Sequence, residues 1–107
     1  MLTVTVHLFE DGCLAGFEAA GHAGAEPAGE NVACAAATAL LRTAGRVLLS
    51  EGLVVDGSRD TPGNMSMRVV SRGTVDAGRL SGVTDFLLRG LRDLEAEFPA
   101  HVAVVVV

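Results

Sequence analysis

Apolar and polar positions alternate from the first residues: Leu2, Val4, Val6 and Leu8 are interleaved with Thr3, Thr5, His7 and Phe9. A period of two marks a strand with one face in a core. Asp11-Gly12 then supplies a tight hairpin turn, and a second strand is expected from Cys13 to about Ala20. A two-residue turn sets Leu8 against Ala15, Val6 against Phe17 and Val4 against Ala19, so that all six side chains share one face.

The alternation stops between Gly21 and Glu30, where three glycines and one proline stand among small residues, a composition that predicts a loop. A helix is expected to start near Asn31, whose side chain caps free N–H groups. It continues through Ala39, Leu40, Val47 and Leu48 to Gly52, with Gly45 as a weak point. Leu53 to Gly57 and Met65 to Val70 read as a hairpin pair of strands around a Pro62-Gly63-Asn64 turn. Val83, Phe86, Leu87, Gly90, Leu91, Leu94 and Phe98 recur at helical spacing, which predicts a second helix with those residues on its core face and Pro99 at its end. The final run from Val102 to Val107 is far shorter than a membrane span and reads as a buried strand. The order β-β-α-β-β-α-β predicts an α+β fold over residues 1–107, a single domain with two helices packed on one face of a mainly antiparallel sheet.

Composition sharpens this picture. The chain has 107 residues, half of them hydrophobic, with four Phe and neither Trp nor Tyr, so Val, Leu and Ala must fill the core. All eight basic residues are arginines, and thirteen acids leave a formal net charge of -5. Such a surface disfavours nucleic-acid binding and suits a cationic peptide better. The start carries neither a basic segment nor a long apolar run, so no signal peptide is expected and the reading is cytoplasmic, with no membrane partner. Two cysteines do not make a disulfide framework.

The candidate chemistry lies in Gly21-His22-Ala23-Gly24 and in Asn31-Val32-Ala33-Cys34-Ala35-Ala36-Ala37-Thr38. Imidazole and thiol together form a minimal set for cutting an acyl bond: the thiolate attacks, and the imidazole takes the proton and delivers it to the departing amine. With Asn31 as N-cap, Cys34 is the third helical residue, where the positive end of the helix dipole favours thiolate. Backbone N–H groups around Ala33, Cys34 and Ala35 are candidate oxyanion donors. Thr38, one turn later, either reaches the thiol or imidazole or bonds back to a carbonyl of its own helix.

Each residue also has a plainer reading. A cysteine in an alanine-rich helix is more often a small buried hydrophobe, and a histidine after glycine often just closes a turn. Metal binding by Cys13, Cys34, His7 and His22 is a third possibility. The hairpin register opposes it, since His7 falls opposite Gly16, and His22 would lie about 20 Å further along. No metal or cofactor is expected, and Cys13, His7 and His101 are read as structural or surface residues.

Gly21-His22-Ala23, the glycine-rich loop and Cys34-Ala35-Ala36-Ala37-Thr38-Ala39-Leu40 resemble the ribosomal-processing cysteine protease family, Prp. The resemblance covers nearly the whole chain, from the first hairpin to Glu97-Phe98-Pro99 before the last strand. It implies a small homodimeric α+β protease that removes a short N-terminal extension from the bacterial ribosomal large-subunit protein twenty-seven. By the same resemblance His22 is the base, Cys34 the nucleophile, Gly21 a site of close backbone approach, and the segment containing Gly24, Pro27 and Gly29 a gate over the peptide. The family usually has aspartate and serine where this chain has Asn31 and Thr38. Threonine keeps the hydroxyl; asparagine keeps capping but removes a charge. That change leaves a second reading open, a non-catalytic ribosome-associated module of the same fold that binds the peptide without cutting it. A third is a thiol redox sensor at Cys34.

Overall fold

The computed structural model describes residues 1–21, 32–56, 64–73 and 75–107. Its elements follow the expected order: β1 (Leu2–Leu8), β2 (Leu14–Ala20), α1 (Val32–Ser50), β3 (Val54–Asp56), β4 (Asn64–Ser71), α2 (Ala77–Glu97) and β5 (Val102–Val106). The strands form one sheet in the order β3-β4-β2-β1-β5. Every neighbouring pair is antiparallel except β1 and β5, which run parallel; α2 carries the chain from β4 across the sheet to β5. The predicted Pro62-Gly63 turn lies outside the described residues, while Asn64, expected in that turn, opens β4.

The first hairpin departs from its expected register at one end, for a reason visible in its turn. Phe9 N–H bonds to Cys13 C=O at 2.8 Å, and Gly12 N–H to Phe9 C=O at 2.9 Å. The loop is therefore Glu10-Asp11-Gly12, one residue longer than a two-residue turn, with Gly12 at φ 86° where a side chain is disfavoured. Leu8 consequently faces Leu14, and Ala15 is the extra residue of a bulge. From His7 opposite Gly16 onwards the expected register holds, including Val6 with Phe17 and Val4 with Ala19. The bulge puts Leu14 in the core and leaves Ala15 half-exposed, so Ala15 does not join the other five.

Leu14 N–H points away from β1, as Leu8 opposite it bonds Val107 C=O instead, and the β2–β4 pairing begins only at Gly16. Thr84 Oγ1 of α2 accepts this Leu14 N–H at 2.8 Å and itself donates to Leu80 C=O at 2.8 Å. Both hydrogen-bonding roles of a buried hydroxyl are thereby used, which makes its burial tolerable.

Both helices lie on one face of the sheet, over Leu2, Val4, Val6, Phe17, Met67, Val69 and Val104. On α1 the buried residues are Ala33, Ala37, Leu41, Ala44 and Leu48, a stripe at helical spacing. This helix is long and apolar enough by composition to cross a membrane, but the stripe marks it as the core helix of the fold. It ends at Ser50, and Gly52 turns the chain at φ 79°. Gly45, expected to weaken the helix, faces Met67: a Cβ there would stand 3.6 Å from Sδ, an ordinary contact.

On α2, Asp76 caps the first turn by accepting from Arg79 N–H at 3.1 Å. Its buried stripe is Leu80, Thr84, Leu87 and Leu91, with Val83 and Leu94 on the margins. Phe86, predicted on the core face, is 70% exposed. The stripe is centred on Leu80 and Thr84, which the apolar count misplaced because one of its members is a threonine. Gly90 lets the helices approach: a Cβ there would come within 2.9 Å of Leu40 Cδ1.

Candidate active site

Cys34 is the third residue of α1, as expected from a helix start at residue 32. Ala33 and Ala37 anchor the opening turns against the sheet, so the thiol stands on the flank of the buried stripe, half-buried and packed against the core edge. The first-turn N–H groups of an α-helix have no carbonyl of their own helix to bond. Cys34 lies in this turn, at the end of the helix where the dipole is positive. Thr38 lies one turn further on, also half-buried.

Gly21 ends the other approach to the site. It follows β2 at φ 94°, and any Cβ would run into the Met1 carbonyl. Only glycine satisfies both conditions at this position. His22, Gly24, Pro27, Gly29 and Asn31 lie outside the described residues.

The remaining candidates stand apart from Cys34. Cys13 is buried behind the hairpin turn, and burial, followed by the nearby Asp11 charge, pushes its thiol pKa up. Neither cysteine is in a disulfide. His7 Nε2 pairs with Glu18 Oε1 at 2.5 Å on the opposite face of the sheet from the helices. There they line a shallow depression of about 550 Å³ with Ser66 and Arg68. His101 sits in the α2–β5 turn, where its N–H bonds Phe98 C=O and its C=O accepts from Leu2 N–H. Among the described residues no three His, Cys, Asp or Glu side chains gather as a metal-binding group.

Three interactions had no counterpart in the sequence reading. Thr84 holds the bulge. Arg72 bonds Asp11 Oδ2 at 2.7 Å and lies 5.1 Å from the Phe9 ring centroid, clamping the first hairpin to the end of β4. Arg92 and Glu95 of α2 both bond the backbone of Val104. Helical spacing of Arg92 and Glu95 suggests only an ion pair; their contact with β5 depends on how the helix is docked.

A five-stranded sheet is thus covered on one face by two helices, with a cysteine on the opening turn of the core helix, where a thiol can act as a nucleophile. The chain belongs to the cysteine protease Prp family, whose model matches residues 1–103, and is a cysteine protease. No curated protein matches it in sequence. Among solved structures it is similar to the essential ribosomal processing protease Prp from S. aureus in complex with a covalently linked product peptide, with a TM-score of 0.82, 21% identity and 100% of both chains covered. The same S. aureus protease with a substrate peptide gives a TM-score of 0.79 at 19% identity, again over 100% of both chains. SMU.848 from Streptococcus mutans gives 0.77 at 20% identity, covering 99% of this chain and 93% of that one. At these identities the structural likeness establishes the fold.

Proposed function

We propose that this protease removes a short N-terminal extension from the bacterial ribosomal large-subunit protein twenty-seven, with Cys34 as nucleophile and His22 as base. The observation that carries the reading is the position of Cys34 on the first turn of α1, within the stretch matched by the family model. Support for a peptide substrate comes from the S. aureus relative, which has been seen with a covalently linked product peptide.

In this reading His22 takes the proton from Sγ, and the sulfur forms a bond to the scissile carbonyl carbon. The oxyanion that develops is stabilised by backbone N–H groups at the start of α1. The protonated imidazole then gives its proton to the departing amine as the C–N bond breaks, leaving a thioester on Cys34. A water molecule, deprotonated by His22, attacks the thioester carbonyl, and the C–S bond breaks to release the new carboxylate and restore the thiol. Gly21 sets where residue 22 begins, and Gly24, Pro27 and Gly29 belong to the gate over the peptide. The net charge of -5 attracts a basic substrate segment. We further infer a cytoplasmic homodimer, in keeping with a ribosomal substrate.

The test is cleavage of the host ribosomal protein's own N-terminal segment, followed by mass spectrometry. Wild type is expected to cut one bond, while Cys34→Ser and His22→Ala lose cleavage by at least about 10³-fold. Wild type that binds the peptide without cutting it would overturn this substrate assignment and make Asn31→Asp the next variant to measure.

A further inference from the structure

The outer edge of β5 is occupied by its own helix. In the parallel β1–β5 ladder, Leu2 N–H bonds His101 C=O, Val107 N–H bonds Val6 C=O, and Leu8 N–H bonds Val107 C=O. Odd-numbered residues of β5 therefore face β1, and Val102, Val104 and Val106 turn their backbone groups away from the sheet. Val102 N–H is taken by Phe98 C=O at 3.0 Å. Val104 N–H donates to Glu95 Oε2 at 2.7 Å, and Val104 C=O accepts from Arg92 Nη1 at 3.1 Å. Arg92 Nη1 also reaches Glu95 Oε1 at 3.0 Å, closing a ring of three bonds. The carboxylate stands where an incoming strand's carbonyl would be, and the guanidinium where its N–H would be.

What this clasp covers is prone to pairing. Val102-Ala103-Val104-Val105-Val106 has no charge, proline or glycine, and Val105, Val106 and Val107 are exposed. The edge is also self-complementary. Two copies of β5 laid antiparallel about Val104 would exchange N–H···O=C bonds between the two Val104 residues, the same two groups that Arg92 and Glu95 now hold. We propose that the Arg92–Glu95 clasp keeps the β5 edge closed against strand pairing with a second copy of this chain, and that opening it turns the edge into an interface.

Two measurements test this. In the Arg92→Ala/Glu95→Ala variant, light scattering coupled to size-exclusion chromatography should find a species of at least twice the wild-type mass, whatever the wild-type assembly, growing with protein concentration. Adding Val106→Lys, which puts a charge on the opened edge, should return the mass to the wild-type value. A folded double variant that keeps the wild-type mass at every concentration overturns the proposal, as does a heavier species that Val106→Lys leaves intact. Amide hydrogen exchange on the wild-type protein decides independently should the variants not fold. The Val104 amide is expected to exchange far more slowly than that of Val106, although both point off the sheet, and equally fast exchange at the two overturns the clasp.

Discussion

Thr84 shows how one side chain holds a local irregularity in place. The extra loop residue before Cys13 forces a bulge, Leu14 N–H beside it lies beyond the β4 pairing, and a buried hydroxyl from α2 accepts it. Thr84→Val keeps the shape but leaves a buried donor without a partner, and should lower stability by about 1–3 kcal/mol in urea unfolding. Thr84→Ser, which retains the oxygen, should cost less; a larger loss with serine than with valine would show that the methyl contact dominates. Gly21 works in the opposite way, by having no side chain. Gly21→Ala meets both an unfavourable φ and the Met1 carbonyl, and is expected to destabilise the fold by at least about 1 kcal/mol. Because residue 22 follows directly, kcat on the peptide substrate should fall further than the loss of folded protein explains. An unchanged kcat per folded molecule would show that Gly21 does not position His22, the proposed base.

At the scale of elements, the two helices use different means to dock. The buried stripe of α1 mixes alanines with Leu41 and Leu48, and Gly90 of α2 lets Leu40 of α1 lie against it. Gly45 has no such duty. It occupies a helix interior where a Cβ would meet Met67 Sδ at an ordinary contact distance, so Gly45→Ala removes unfolded-state freedom without creating a clash. The substitution should raise stability by about 0.5–1 kcal/mol, read as a higher melting temperature of about 2–8 °C. A lower melting temperature would mean that Met67 cannot accommodate the methyl group.

At the scale of the whole molecule, two carboxylates tie separate elements together, Asp11 the first hairpin to the end of β4 and Glu95 the helix α2 to β5. Asp11 is bonded by Cys13 N–H and then by Arg72, and Glu95 by Val104 N–H and then by Arg92; in each case these bonds hold the carboxyl below the usual range. A depressed folded-state pKa gives stability that is fully present above the unfolded value, about 4 for these groups, and is lost as pH falls through the folded one. Wild type should therefore lose urea resistance on acidification below about pH 4, and Glu95→Gln should lose less over the same interval because it begins without the charged bond. Identical pH profiles for the two proteins would remove Glu95 from this account.

Local patterns in the chain determined the element order, the register of β1 with β2 from His7 onwards, the antiparallel β3–β4 pair, and the placement of Cys34 on a helix's first turn. Periodicity and capping act over a few residues, so they can be read along the chain. The Gly-His and Cys-Ala-Ala motifs carried the family in the same local way. Only the tertiary structure decided the bulge at Ala15, the exposure of Phe86, the partner of Thr84 and the clasp on Val104. The last three depend on how α2 is rotated and seated against the sheet, which no local pattern encodes, whereas the bulge follows from the three-residue hairpin loop. The hydroxyl of Thr84 reads as polar in isolation, yet it lies in the core because the orphaned N–H of Leu14 is there to meet it.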